Sequence, residues 1–194
     1  MTDQDIDIPG FADPVGDSQA AFRAVLDAMA RPGRIGAAGD GLQPPAPLDP
    51  ATAAVALALI DQETPAFLDQ SMRAASSWLT FHCGAPIAQD AADADFALCL
   101  ACPDLAALRL GSDEAPETSS TLILQVTALD SGIAFRLAGP GLAEPAILRV
   151  AGLPVDFAAS WQRNHALFPR GIDIVLCAGN RLTALPRSLS LEAV

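Results

Sequence analysis

The chain has 194 residues, 51% of them hydrophobic, and a formal net charge of −12. That length supports one substantial domain. The charge argues against a nucleic-acid ligand, whose binding rests on Lys and Arg neutralising phosphates.

The first nine residues, MTDQDIDIP, are acidic and have no basic stretch followed by an apolar one. They are read as a flexible lead into a single domain spanning 1–194, with no secretory signal. Gly10 to Ile35, GFADPVGDSQAAFRAVLDAMARPGRI, then joins an Asp-Pro entry, an amphipathic helix and an Arg-Pro-Gly-Arg exit. Asp17 or Ser18 is the expected cap. Phe22, Val25, Leu26 and Met29 fall at i, i+3, i+4 and i+7, a stripe expected to face the core. Arg23 and Asp27 are spaced to pair at i, i+4. Pro32 and Gly33 end the helix near Ala30 or Arg31.

Residues 36–48 are rich in Gly and Pro and read as a loop. Asp49 caps a second helix, with Pro50 at its first position, running to about Gln62. That helix is apolar nearly all round and should be deeply buried. Its most apolar run, Ala51 to Ile60, is too short to cross about 30 Å of hydrocarbon, so no membrane partner and a cytoplasmic location are expected. A strand over Ala66 to Leu68 and a helix from Ser71 to Cys83 follow. Phe96 to Ala101 reads as a central strand and Pro103 to Leu110 as a short helix. Residues 111–120, GSDEAPETSS, read as a mobile acidic loop.

Thr121 to Leu129 is strongly β-forming, and Asp130-Ser131-Gly132 is expected to turn it into Ile133 to Ala138 as a hairpin. Gly139-Pro140-Gly141 breaks the chain before a strand at Ala146 to Val150. Asp156 caps a helix carrying Trp161 and His165 to about Phe168. Strands at Ile172 to Ala178 and Arg181 to Leu185 close the pattern. Helices interleaved with strands predict a three-layer α/β/α domain with a mixed sheet.

The inventory of catalytic groups is thin. All eleven basic residues are arginine. The absence of lysine excludes an internal Schiff base with pyridoxal phosphate and a Walker A lysine. The absence of tyrosine excludes a phenolic acid or base. Cys99-Leu-Ala-Cys102 is a CxxC in spelling, but Cys99 lies in a buried strand, so these cysteines read as small hydrophobes rather than a redox pair or metal ligands. His82 and His165 lie on helices near a tryptophan and read as packing residues. Anion recognition falls to arginine. Arg31 and Arg34 flank a Pro-Gly turn, and Arg170 and Arg187 sit beside prolines. Each has three readings: internal pairing with acids such as Asp13 or Asp173, contact with another subunit, or contact with a phosphate.

Three segments resemble the H subunit (PhnH) family of the bacterial carbon–phosphorus lyase system: Gly10 to Ile35, LAGPGL at residues 137–142, and FPRGIDIVLCAGNRLTALPRS at residues 168–188. The resemblance implies a fold similar to the large domain of pyridoxal-phosphate-dependent transferases but without that cofactor. It implies a homodimer, and a core complex with the G, I and J subunits and an ATP-binding-cassette-like partner. With the G, I and L subunits, the system transfers ribose 5-triphosphate from ATP to an alkylphosphonate; a radical S-adenosylmethionine subunit later cleaves the carbon–phosphorus bond. The implied role is mainly assembly, without catalysis of its own. The alternatives are anion binding through the arginines or a thiol-redox role for Cys99 and Cys102. Asp13, Arg31, Arg34, Arg170 and Arg187 are the residues on which anion or subunit binding would rest.

Overall fold

The continuous apolar runs become strands buried on both faces. The computed structural model describes residues 6–194. Its main sheet has six strands: β1 (Gly36–Ala37), β2 (Ala66–Leu68), β3 (Phe96–Cys99), β4 (Thr121–Gln125), β7 (Asp173–Ala178) and β8 (Arg181–Leu185). Their order is β1-β8-β7-β4-β3-β2. β2, β3, β4 and β7 run parallel, while β8 and β1 are antiparallel additions at one side. Alternate residues of one strand serve different cores. Ile123, Val175 and Cys177 face one cluster, and Leu122, Leu124, Ile174 and Leu176 face the other. Four parallel strands with both faces covered require this run of apolar residues.

The first face is covered by α1 (Pro14–Ala30), α2 (Pro50–Leu59) and α3 (Ser76–Cys83). α2 is buried without a break from Ala51 to Ala56, as its all-round apolarity predicts. The helix expected from Ser71 is divided: a 3-10 turn at Arg73–Ala75 precedes α3.

The opposite face corrects the α/β/α expectation. A three-stranded antiparallel sheet, β6-β5-β9, covers it together with the single helix α4 (Phe157–His165). β5 (Ala128–Ala138) runs for eleven residues, between β6 (Ala146–Ala151) and β9 (Ser190–Ala193). The expected hairpin at Asp130-Ser131-Gly132 is therefore a bulge inside β5, where the register with β6 shifts between Ala128 and Ile133. Gly132 has φ +85, and an added Cβ would sit 2.5 Å from the Val150 carbonyl oxygen, so glycine serves a close backbone approach here rather than a reversal. The helix expected over 103–110 is reduced to one 3-10 turn, Leu105–Ala107.

The chain's two ends fasten the layers. The Ile8 carbonyl accepts from Trp78 Nε1 at 2.8 Å and lies 3.0 Å from His82 Nε2. Of the lead expected to be flexible, residues 1–5 lie outside the described residues, and Ile8 is fixed to α3. Near the other end, Trp161 Nε1 donates to the Leu189 carbonyl at 2.8 Å, holding α4 against the approach to β9.

Candidate functional site

The candidate residues at the edges of α1 do not form one site. Asp13 is the helix cap, with Pro14 at the first position; its carboxylate accepts from Gly16 N at 3.1 Å. Asp17, the expected cap, returns the contact by accepting from Asp13 N at 3.0 Å. The helix therefore begins earlier than the Asp17/Ser18 reading. Arg31 and Arg34 lie at its other end, about 25 Å away for 17 residues. There both guanidiniums converge on Asp27, with Arg34 Nη1 3.0 Å from Oδ2. Arg23, the expected partner of Asp27, makes no ion pair among the described residues. Two cations share one carboxylate while remaining 58% and 61% exposed.

Half of the expected stripe of α1 faces the core: Val25 is buried and Met29 packs against the core cluster, while Phe22 and Leu26 turn outward. Ala21, Val25 and Ala28 are buried, whereas Phe22 is 44% and Leu26 51% exposed. With Val15 they form an apolar face toward solvent. Small alanines let α1 approach α2 and β8 closely, so the packed sector lies to one side of the larger residues.

The exit of α1 is locked by the Gly139-Pro140-Gly141 turn between β5 and β6. Gly141 has φ +87, and a Cβ there would lie 2.3 Å from the Ala30 carbonyl oxygen and 3.0 Å from Pro32 Cδ. Two of the three segments that carry the sequence resemblance thus pack on each other.

The other arginines surround the loop expected to be mobile. Arg187 is 15% exposed, and its Nη2 lies 2.6 Å from Asp173 Oδ2. Its Nη1 donates to the Pro116 carbonyl at 2.8 Å, and its backbone N–H donates to Asp173 Oδ1 at 2.7 Å. Arg109 pairs with Asp95 and donates through Nε to the Thr118 carbonyl. Arg170 Nε lies 3.1 Å from Asp113 Oδ1, within ion-pair range but out of line for a hydrogen bond. Three arginines thus tie residues 113–118 to the body. These guanidiniums hold backbone and carboxylate groups of the same chain, which favours the internal-pairing reading.

The carboxyl ends of the parallel strands hold polar residues that sequence reasoning missed. Asp69, after β2, accepts from Leu100 N at 2.7 Å and Ala101 N at 3.2 Å with one oxygen, and from Ser71 N and Met72 N with the other. Gln125 receives Asp49 N and donates to the Pro47 carbonyl, while Asp49 Oδ2 accepts from Gly179 N. No local pattern marks the bonds between Asp69 and Leu100 or between Gln125 and Asp49 and Pro47, whose partners lie 31 to 78 positions away. Asp49, expected to cap α2, makes no capping side-chain bond and reaches Gly179, 130 positions away, instead. A shallow cleft of about 310 Å³ beside them is lined by Asp49, Gln125 and Thr127, and its one charge is negative. A larger cleft of about 560 Å³, under Ile8 to Ala12, carries Asp17 and Asp40. A third, about 290 Å³ between α4 and residues 104–110, has Arg163 together with Asp104. None of the three gathers cations for a polyphosphate.

The thiols are not activated. Burial pushes Cys99 up to about 12, with further upward contributions from Asp69 and Cys102; a backbone hydrogen bond opposes them. Burial and Asp156 raise Cys102 to about 11. A redox pair needs the opposite shift. His165 Nδ1 lies 3.0 Å from the Arg187 carbonyl oxygen, a hydrogen-bonding contact like that of His82. Among the described residues no cluster of His, Cys, Asp and Glu could hold a metal, and no helix is long and apolar enough to cross a membrane.

Comparison with known proteins adds an identity that this geometry alone does not supply. The family model described as bacterial phosphonate metabolism protein (PhnH) matches residues 9–192. The α-D-ribose 1-methylphosphonate 5-triphosphate synthase subunit PhnH of Rhizobium meliloti (strain 1021) is 40% identical over 187 residues, covering 94% of each chain. HtxG of Stutzerimonas stutzeri, a candidate C-P lyase subunit, is 32% identical over 175 residues, covering 90% of this chain and 85% of its own.

Proposed function

Since the chain belongs to the PhnH family of bacterial phosphonate metabolism proteins, we propose that it is an assembly subunit of a carbon–phosphorus lyase system. It stands beside the G, I and L subunits when ribose 5-triphosphate passes from ATP to an alkylphosphonate, and it supplies no reacting group. The observation that carries this reading is the commitment of Arg31, Arg34, Arg170 and Arg187 to carboxylates of the same chain. Groups already paired inside the fold shape a surface more readily than they capture a free polyphosphate.

The same reading extends to cofactor and self-association. The chain works without pyridoxal phosphate, because it has no lysine and its strand-end cleft offers Asp49 where a phosphate would need a cation. Its parallel run β2-β3-β4-β7 is compatible with the transferase-like fold. The exposed face of Val15, Phe22 and Leu26 supports a homodimer in isolation. The working location is the cytoplasm.

Co-expression with the core subunits tests the proposal. The chain should co-purify with the G, I and J subunits and, alone, should show no turnover of ATP with methylphosphonate. Failure to co-purify, or turnover by the isolated chain, would reject it. A second reading rests on Arg31 and Arg34, which leave one positive charge in excess of Asp27. Titration calorimetry with ATP and methylphosphonate checks it: identical heats for the native chain and Arg31→Ala would remove it.

A further inference from the structure

The sheet edges of this molecule are treated unequally. β1 has two residues and β2 three, and Ile87 bridges to Ala66 beside β2. β9 has four, with α4 fastened beside its approach by Trp161. Short or covered edges are how natural sheets avoid unwanted pairing. β6 is different. It has six residues, Ala-Ile-Leu-Arg-Val-Ala, with no proline, and among the described residues it pairs with β5 alone. Apart from its pairing with β5 and one bond from Thr127 N to the Ala151 carbonyl, no hydrogen bond reaches Ala146 to Ala151 among the described residues.

Its outward side chains carry the wrong charge for so acidic a chain. Leu148 and Val150 are buried, so Ile147 and Arg149 point away from the core, and Ile147 is 57% exposed. Register places Ala134 opposite Arg149 and Arg136 opposite Ile147, so the two arginines are diagonal neighbours, roughly 7–8 Å apart at Cα. Neither is in an ion pair among the described residues, although six of the chain's eleven arginines are. Small Ala134 and Ala138 leave the surface between strands low.

We infer that the free edge of β6 receives an extended segment of an acidic partner protein, paired as an added strand and carrying a carboxylate beside Arg149. Main-chain bonds to β6 supply the attachment, while Arg149, Arg136 and Ile147 select an acidic strand with an apolar neighbour. The partner is another subunit of the assembly, so the inference rests on the assembly reading above.

The test is amide hydrogen exchange on the native chain, alone and within the co-purified complex, with Arg149→Glu and Arg73→Glu variants. Arg73 is exposed, in no ion pair among the described residues, and on the opposite layer, so it reports the cost of a charge reversal elsewhere. Protection of amides 146–151 on complex formation, with at least tenfold weaker capture of Arg149→Glu than of Arg73→Glu, is expected. A complex that forms with those amides unprotected and the two variants captured equally overturns the β6 inference while leaving the assembly reading intact. Concentration-dependent protection in the isolated chain would assign the edge to a second copy and overturn the acidic partner. Absence of any complex with the native chain would fell the assembly reading itself.

Discussion

Asp27 with Arg31 and Arg34 and Asp173 with Arg187 join the same chemical groups in opposite surroundings. At the exit of α1 two guanidiniums hold one carboxylate in solvent. At β7, one largely buried guanidinium holds Asp173 and also the carbonyl of Pro116, 71 positions away. Solvent screens the first group, and its energetic value is small. The second would leave an unpaired charge if either partner were lost. An arginine beside a proline is therefore no indication of a binding site until its partners and burial are known.

The largest effect should come from Arg187→Ala. Loss of this largely but not fully buried pair, together with the bond to Pro116, should cost about 3 kcal/mol, no more than the low end for a fully buried pair. For a chain of this size that lowers Tm by roughly 6–12 °C, measurable by calorimetry. A loss as small as that for an exposed pair would erase the contrast. Gly141→Ala should follow, at about 2–3 kcal/mol, because strain at positive φ adds to collision with the Ala30 carbonyl. Urea unfolding would show it as a lower midpoint with an unchanged slope. Arg31→Ala and Arg34→Ala should each cost below about 1 kcal/mol, and 0.5 M salt should shrink the difference.

The thiols should be silent at neutral pH. Cys83 and Cys102 are raised from 9.0 to about 11, and Cys99 and Cys177 to about 12, chiefly by burial. Deprotonation then favours the unfolded chain, where thiols keep their ordinary value. Their contribution to stability is complete below pH 9 and is lost as pH rises toward 11–12. Alkylation of the native protein at pH 8 should be slow at all four positions. Rapid labelling of both Cys99 and Cys102 would restore a redox reading.

Much of this was legible in the chain itself where local chemistry and tertiary packing agree. The burial of α2 follows from its composition, and the strands at 66–68, 96–99, 173–178 and 181–185 follow from apolar runs between turn residues. Errors occur where one local signal has two outcomes. Asp13, Asp17 and Ser18 are all competent caps; Pro14 is the feature that favours Asp13, since proline suits the first helical position. Gly132 fits a turn or a bulge, and only the partner strand decides. Phe22 and Leu26 lie on a proper helical stripe, yet periodicity does not say which sector packs. β9 was missed because Ser190–Ala193 is short and half polar and acquires its form by pairing with β5. The Asp69 and Gln125 contacts depend on loops brought together from distant positions.

The role proposed for this chain is service to an assembly rather than a reaction of its own. Omit-one reconstitution tests it most directly: the native mass of the core complex and its ATP-dependent conversion of methylphosphonate are followed with and without the chain. The predicted result is a complex whose mass increases by this subunit and whose conversion requires it, while the chain alone is inactive. A chain that stays free while conversion proceeds unchanged, or one that converts ATP and methylphosphonate by itself, would contradict that role.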